Sequence, residues 1–345
     1  MTLIVDTSVP QAHWDELVAS ITRRQFFSGV AGVATAVALT ACGTSDGSSA
    51  SGNERLPYTW GEFSADVPRD PKRVVVLDGR VDLEFAMMMD YPVVGSGNSW
   101  FPDAKIGAQF PGRTIESATA VNNIGDYTIN FENLLVLDPD LIVMTEVGYL
   151  SDWYGNDRLA TIAPLLVVGD DKQSTPSSAV DWRGALLEQA NQLDRKSAAE
   201  AMISEYETKL NGLRPTLAAA LGGKNVVFGV LSDSGFLVHQ RSLPLSVCLD
   251  AGLTVPFRDD TNADNGFELG FEQLDQLASA DVIIAQAGRP EVVGIVGAQP
   301  TWQRLPAVQA GNVVTVDARY NQGFALTASI FLDVLVEAAE KFTAA

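Results

Sequence analysis

The sequence predicts an α/β protein with two similar lobes, each built on parallel strands, and a long helix between them. Four observations predict this fold class. Apolar strands alternate with helical segments through the first half of the chain, a purely helical stretch follows, and the alternation then restarts. A sequence pattern in the first half also recurs in the second, which indicates two related lobes.

The first half of the alternation predicts an N-terminal lobe over residues 58–193. Strands that alternate with helices are typical of a parallel α/β sheet. The segments that predict it are, in chain order, VVVLD (74–78), DLEFAMMMD (82–90), YPVVGSG (91–97), FENLLVL (131–137) and LIVM (141–144).

The middle of the chain carries no strand signal from Trp182 to Leu221, and its apolar residues recur at helical spacing. We expect one helix to end near Gln192 and a long linking helix to span 194–221. Pro215 should kink or interrupt this helix. The Gly-Gly pair at 222–223 should end it.

The second half predicts a C-terminal lobe over residues 222–345. FENLLVLDPDLIVM in the first half is matched by FEQLDQLASADVIIA in the second, and both indicate a helix, a short acidic turn and an apolar strand. The further segments are NVVFGVL (225–231), LPLSVCLDAG (243–252), VVTVD (313–317) and LTASIFLDVLVEAAEKF (326–342).

The N-terminus resembles an export signal rather than a part of the fold. Arg23 and Arg24 lie in TRRQFF, which resembles the twin-arginine motif, and a short run rich in Gly and Ala follows. LTACG at 39–43 resembles a lipobox, so residues 1–41 are expected to be a signal peptide and Cys42 to carry the lipid. The Gly/Ser-rich stretch over 42–57 is then a flexible tether.

Composition excludes several classes of function. The formal net charge of −20 makes a nucleic-acid partner improbable. His13 and His239 are the only histidines and His13 lies in the leader, so no metal site is predicted. Once Cys42 is acylated, Cys248 is left alone and is expected to be buried. The sequence contains no nucleophile elbow and no dinucleotide fingerprint, so no enzyme activity and no cofactor are predicted.

From about Arg73 onward the chain resembles the periplasmic binding proteins for ferric siderophores, haem and cobalamin. The segments that carry the resemblance are PKRVVVLD, INFENLLVLDPDLIVM, APLLVV, FEQLDQLASADVII and TWQRLPAVQAGNVVTVD, in the family's order. The resemblance implies two Rossmann-like lobes joined by a long rigid helix, with the ligand in the cleft between them. A rigid link also implies limited closure.

The resemblance assigns a docking role to Glu132 and Glu272. They occupy the positions where the family carries one glutamate in each lobe to meet arginines of the membrane permease. Exposed charge pairs of this kind set orientation and association rate more than affinity.

Ligand contacts are expected beyond the carboxyl ends of the strands. Guanidinium groups suit an anionic iron complex, and aromatic rings cover its apolar rim. The predicted ligand-binding residues are Arg80, Trp100, Tyr127, Tyr149, Arg241, Arg289 and Tyr320. Asp126 stands where some hydroxamate-binding relatives carry an arginine. The siderophore class is therefore left open, and a neutral or cationic complex remains an alternative ligand.

The sequence thus predicts a monomeric, lipid-anchored protein on the outer face of the cell membrane. It would capture a ferric siderophore and deliver it to the permease dimer of an ABC importer. Haem and cobalamin are the alternative ligands, with His239 as the one candidate axial ligand. A sensor or scaffold role in the envelope is the alternative outside transport.

Overall fold

The structure is a computed structural model that describes residues 54–97, 105–121, 128–171, 181–260 and 266–344. The predicted signal peptide, the lipidation site Cys42 and most of the predicted tether lie outside the described residues. Within the described ranges, no helix is both long and apolar enough to cross a membrane.

The described chain begins with an antiparallel hairpin of β1 (Arg55–Trp60) and β2 (Phe63–Pro68). It starts three residues before the predicted boundary at 58. Tyr58 and Trp60 point inward from β1. The hydroxyl of Tyr58 donates to the backbone carbonyl of Val167, 2.8 Å away, which ties the hairpin to the first lobe.

The first lobe contains a five-stranded sheet in which all strands are parallel, as predicted. In sheet order the strands are β5 (Thr119–Ala120), β4 (Val93–Ser96), β3 (Val74–Val76), β6 (Leu141–Thr145) and β7 (Leu165–Val168). The helices between them are α1 (Val81–Met88), α2 (Phe131–Leu137), α3 (Glu146–Leu150) and α4 (Asn156–Ala160). The residues of β3, β6 and β7 are all buried, which agrees with a sheet covered on both faces.

Two helices connect the lobes: α5 (Trp182–Gln192) and α6 (Lys196–Leu221). Pro215 lies within α6, which continues past it to Leu221, and Gly222 follows its last residue. The ring of Trp182 packs edge-on against Tyr206, with 5.3 Å between centroids, and joins the two helices. The lobes are therefore connected by regular, well-packed structure.

The second lobe contains a mixed sheet rather than the purely parallel one predicted. In sheet order its strands are β10 (Gly266–Gly270), β9 (Gly235–His239), β8 (Val226–Leu231), β11 (Val282–Ala287) and β12 (Val313–Val316). The predicted strands β8, β11 and β12 pair in parallel, whereas β9 pairs antiparallel with both β8 and β10, so β9 alone runs in the opposite direction. The reason is that only a short turn separates β8 from β9, and such a turn can join only antiparallel strands.

The segment FEQLDQLAS forms a 3-10 helix, η1 (Phe271–Ser279), rather than the α-helix type of its first-lobe counterpart. Its buried residues Leu274 and Leu277, with Ala280 just beyond, recur every third position. That spacing fits three residues per turn, so one row of side chains faces the sheet.

The remaining helices of the second lobe complete its cover. They are α7 (Leu243–Asp250), α8 (Pro290–Gly297), α9 (Pro300–Gln303), α10 (Pro306–Gln309) and α11 (Ala325–Ala344). Cys248 in α7 is buried as predicted, and burial raises the pKa of its thiol to about 12. Alternate residues of β8 belong to different cores: Phe228 joins a core that is continuous with the first lobe, whereas Val227 faces the outer helices.

Candidate functional site

A cleft opens where β6 and β7 of the first lobe end opposite the β9–α7 connection of the second. Ligands in open α/β sheets bind beyond the carboxyl ends of the strands, so this is the expected place for a site. The residues that line it are Val81, Thr145, Glu146, Val147, Val168, Gly169, Asp170, Asp171, His239, Arg241, Ser242, Leu243, Asn321 and Gln322.

Glu146 is the first residue of α3 and follows β6 directly. The side chain of Thr145 accepts a hydrogen bond from the Gly148 N–H at 3.2 Å and so begins the helix at this point. The Glu146 carboxylate is half-buried and accepts a hydrogen bond from the indole nitrogen of Trp60 at 3.2 Å. Burial raises the pKa of Glu146, and the charge of Asp171 raises it further.

Asp170 and Asp171 follow β7 and extend the same acidic wall. Asp170 accepts the backbone N–H of Gly323 at 2.7 Å, which links it to the second lobe. Burial raises the pKa of Asp170 to about 6, although the hydrogen bond from Gly323 opposes that rise. Together with Glu146, these residues give the first lobe a wall of three carboxylates.

The opposite wall comes from the β9–α7 connection and carries Arg241. This side chain is almost fully buried, and its Nη2 donates to the carboxylate of Asp171 across the cleft. Its Nε has no hydrogen-bond partner among the described residues. The neighbouring hydroxyl of Ser242 is also buried and likewise has no partner there.

His239 completes the second-lobe wall. Burial lowers the pKa of its imidazole to about 4, so the ring is neutral at physiological pH. It packs against Phe228, with 5.2 Å between ring centroids. Its Nδ1 is buried, and in the part of the chain that the structure describes it has no hydrogen-bond partner.

A second acid contact crosses between the lobes behind the cleft. Glu84 of α1 accepts the backbone N–H groups of Phe324 at 2.9 Å, Leu326 at 2.8 Å and Thr327 at 3.0 Å, and the Thr327 hydroxyl donates to it at 2.7 Å. These donors lie at the start of α11, where free N–H groups and the helix dipole favour a negative charge. Burial nevertheless raises the pKa of Glu84 to about 7.

Arg80 lies next to the acidic wall but is held by its own loop. Its Nε pairs with Asp78 at 3.0 Å, and both side chains are largely buried. Asp82 braces this loop by accepting backbone N–H groups, including that of Gly79 at 2.9 Å. The positive charge of Arg80 lowers the pKa of Asp170. Arg80 therefore lies near the cleft, although it does not line it.

The structure brings only some of the predicted ligand residues to the cleft. Arg241 lines it and Arg80 lies close by. Arg289 is exposed outside the lining and pairs with Asp233 at 2.6 Å. Trp100 and Tyr127 lie outside the described residues.

The two remaining predicted tyrosines pack elsewhere. Tyr149 contacts Phe63 edge-on, with 5.1 Å between centroids, and lines a separate depression beside the hairpin. Tyr320 packs against Phe331 at 5.9 Å. Its successors Asn321 and Gln322 line the cleft instead.

Sequence reasoning missed the acidic wall and Ser242. A signal for the wall was present, because Glu146 and the Asp170–Asp171 pair directly follow apolar strands whose carboxyl ends meet at one edge of the sheet. The described lining is therefore richer in carboxylates than in the arginines expected there.

Glu132 and Glu272 occupy matching places in the two lobes. Each lies exposed in the first turn of the helix that precedes an interior strand of its sheet, α2 before β6 and η1 before β11. Asn130 begins α2 by accepting the Asn133 N–H at 3.1 Å. Neither glutamate lines the cleft, so both are free of the ligand site.

Two α/β lobes, a helical link and a polar cleft between them define a two-lobed ligand-binding protein. The family model for periplasmic binding proteins matches residues 74–320, and the chain belongs to this family. It is therefore a binding protein and not an enzyme, as the resemblance predicted.

Several characterised proteins are similar to this chain. The iron(3+)-hydroxamate-binding protein FhuD of Bacillus subtilis is 26% identical over 316 residues, which cover 87% of this chain and 91% of that protein. The structure of FhuD from Vibrio cholerae, solved with Fe3+-Desferal bound, matches this chain with a TM-score of 0.62 and 18% identity. The match covers 77% of this chain and 97% of that protein. Staphylococcus aureus SirA in complex with staphyloferrin B has a TM-score of 0.59 and 17% identity, with coverage of 83% and 98%. At these identities the solved structures show a shared fold.

Proposed function

We propose that this protein captures a ferric siderophore and delivers it to an ABC-type membrane importer. The observation that carries the proposal is the cleft, in which buried polar atoms of Arg241 and Ser242 have no partner among the described residues. Unpaired buried polar groups are costly, so they favour a ligand that supplies oxygen atoms to them. The names of FhuD and the siderophore bound to SirA support an iron chelate as that ligand.

Binding can be measured by quenching of the intrinsic tryptophan fluorescence. We expect saturable quenching by a ferric hydroxamate complex and much weaker binding of the same chelator without iron. Ferric catecholate and citrate complexes, haem and cobalamin complete the panel. Failure of every ferric complex to bind would contradict the proposal.

Haem is the second candidate ligand, because His239 presents a neutral, buried and unpartnered Nδ1 at the cleft wall. A neutral imidazole nitrogen is a good axial ligand for haem iron. Haem bound in this way would shift its Soret band, and His239→Ala would abolish the shift. An unchanged haem spectrum in the presence of the protein would exclude this candidate.

Delivery requires a surface that meets the permease. We assign this role to Glu132 and Glu272, because they are exposed at matching positions of the two lobes and stand outside the cleft. One carboxylate on each lobe would fix the orientation of the protein on a permease dimer through charge pairs.

The proposal includes export through the twin-arginine route and a lipid anchor at Cys42 on the outer face of the membrane. The motifs around Arg23, Arg24 and Cys42 support it. Cys42→Ala should release the protein from the membrane fraction. Unchanged membrane attachment of this variant would contradict the anchor.

A further inference from the structure

Glu146 brings an uncompensated negative charge to the cleft. Among the residues that the structure describes it has no cationic partner, and its single hydrogen bond comes from Trp60. Its charged neighbour in the wall is Asp171, another carboxylate. The side-chain cap of α3 comes from Thr145, so the Glu146 carboxylate is not used to cap the helix.

The surroundings of Glu146 hold its carboxylate in one place. A Cβ at Gly61 would lie 2.6 Å from its Oε1, and a Cβ at Gly169 would lie 2.9 Å from its Oε2. The same Cβ at Gly169 would lie 2.6 Å from the Trp60 indole nitrogen. Two glycines and an indole N–H thus make room for this carboxylate and orient it. Gly61 and Trp60 belong to the β1–β2 hairpin, which precedes the family match at residue 74.

The opposite wall gives an independent indication of a ligand. Ser242 is 6% exposed and Arg241 is 5% exposed, and each has a buried polar atom without a partner among the described residues. Both line the same cleft as Glu146. A ligand that satisfies them brings oxygen atoms to the second lobe while another part of it faces the carboxylates.

Charge decides what that other part can be. Among the described residues of the lining, Glu146, Asp170 and Asp171 stand against Arg241, and His239 adds no positive charge because it is neutral. Arg80 lies beside this wall, but its charge is already paired with Asp78. Catecholate groups leave a ferric complex strongly anionic. Placing such an anion against a wall of carboxylates costs binding free energy, on the order of several kcal/mol. Hydroxamate groups balance the charge of ferric iron. A cationic substituent on a hydroxamate complex would be attracted by the wall.

We propose that Glu146 selects ferric hydroxamate complexes that carry a protonated amine, by accepting a charge-assisted hydrogen bond from that amine. The proposal rests on the function proposed above and names the ligand class of the same cleft. The iron core would face Arg241 and Ser242, and the amine would face the acidic wall.

Two probes that differ only in the amine test it. Ferric desferrioxamine B has a free terminal amine, and its N-acetylated form has the same iron core without that charge. Wild-type protein should bind the amine form about ten-fold more tightly, as expected for a charge-assisted contact. Glu146→Gln should remove this preference by weakening binding of the amine form alone.

Glu62→Gln is the matched control, because Glu62 is an exposed glutamate of the same hairpin outside the cleft lining. It should keep the wild-type preference. Equal affinity of the wild type for both probes would overturn the inference while leaving the proposed function intact. A Glu146→Gln variant that weakens both probes equally would also overturn it, because that result indicates a structural role. Binding of neither probe would overturn the inference, whereas the proposed function would fail only if the ferric catecholate and citrate complexes did not bind either.

Discussion

Glu84 and Asp171 are acidic side chains of the first lobe that reach the second lobe in different ways. Glu84 is fully buried and takes four hydrogen bonds at the start of α11. Asp171 lines the cleft and pairs with Arg241, whose Nε has no partner within the described residues. The Glu84 carboxylate already accepts four hydrogen bonds and is buried, whereas the Nε of Arg241 can still donate a hydrogen bond to a ligand.

The comparison indicates that the Glu84 contact holds the lobes together and that the Arg241 contact takes part in ligand binding. A saturated buried contact adds stability but offers nothing to a ligand, because every donor already has its acceptor. An incompletely satisfied pair in a cleft can gain hydrogen bonds when a ligand arrives. We therefore expect changes at Glu84 to alter folding stability and changes at Arg241 to alter affinity.

The largest expected effect is on stability. Glu84→Ala leaves four donors at the start of α11 without an acceptor, which should lower the free energy of unfolding by roughly 3 kcal/mol. Urea unfolding followed by far-ultraviolet circular dichroism measures it. Exposed Glu62→Ala is the control and should change stability by less than about 0.5 kcal/mol. A Glu84→Ala variant as stable as the control would contradict the structural role.

The next effect is on affinity. Arg241→Ala should weaken binding of the neutral N-acetylated ferric desferrioxamine by about ten-fold or more, because a charged donor is lost from the cleft. The neutral probe is chosen so that the freed charge of Asp171 does not attract it. Arg289→Ala is the control, since Arg289 lies exposed outside the lining. Equal losses in both variants, or none in either, would remove Arg241 from the site.

A smaller effect is expected on transport. Glu132→Ala and Glu272→Ala should leave ligand quenching unchanged and each reduce uptake a few-fold, because an exposed pair contributes about 0.2–1 kcal/mol. The double variant should reduce uptake further, and high salt should affect the wild type more than the double variant. Normal uptake by the double variant would contradict the docking role, and both glutamates would then be ordinary solvent-exposed residues.

The last effect is on the pH dependence of stability. Burial raises the pKa of Glu84 from 4.5 to about 7 and that of Asp170 from 3.8 to about 6. The native state then holds these protons more tightly than the unfolded state, so the free energy of unfolding should fall as pH rises from about 4.5 to about 7. Asp170→Asn should flatten this slope in urea unfolding measured across that range. A wild-type slope of opposite sign would contradict the prediction.

Much of the fold could be predicted because strand and helix patterns are local. The parallel first-lobe sheet and the helices α1, α2 and α6 follow directly from apolar runs and helical spacing. The hairpin was missed although its signal is local too: Tyr58, Trp60, Phe63 and Val67 are buried on either side of a Gly-Glu turn. The sequence predicted a helix at η1 but not its 3-10 type, because the prediction did not specify the helical period.

The site was harder to predict because its contacts are distant in sequence. Arg241 could be placed in the cleft from its position after a second-lobe segment, but its pairing with Asp171 depends on how the lobes meet. Glu84 and Phe324 lie 240 residues apart, and no local pattern joins them. The acidic wall could have been predicted, since Glu146 and Asp170 follow strand ends directly.

The most direct test is to locate the iron. Crystals grown with ferric desferrioxamine B, measured for the anomalous scattering of iron, should show one iron peak in the cleft between Glu146 and Arg241. The chelate should contact Arg241 and Ser242, with its amine towards Glu146. An iron complex bound elsewhere on the protein, with the cleft residues untouched, would contradict the account.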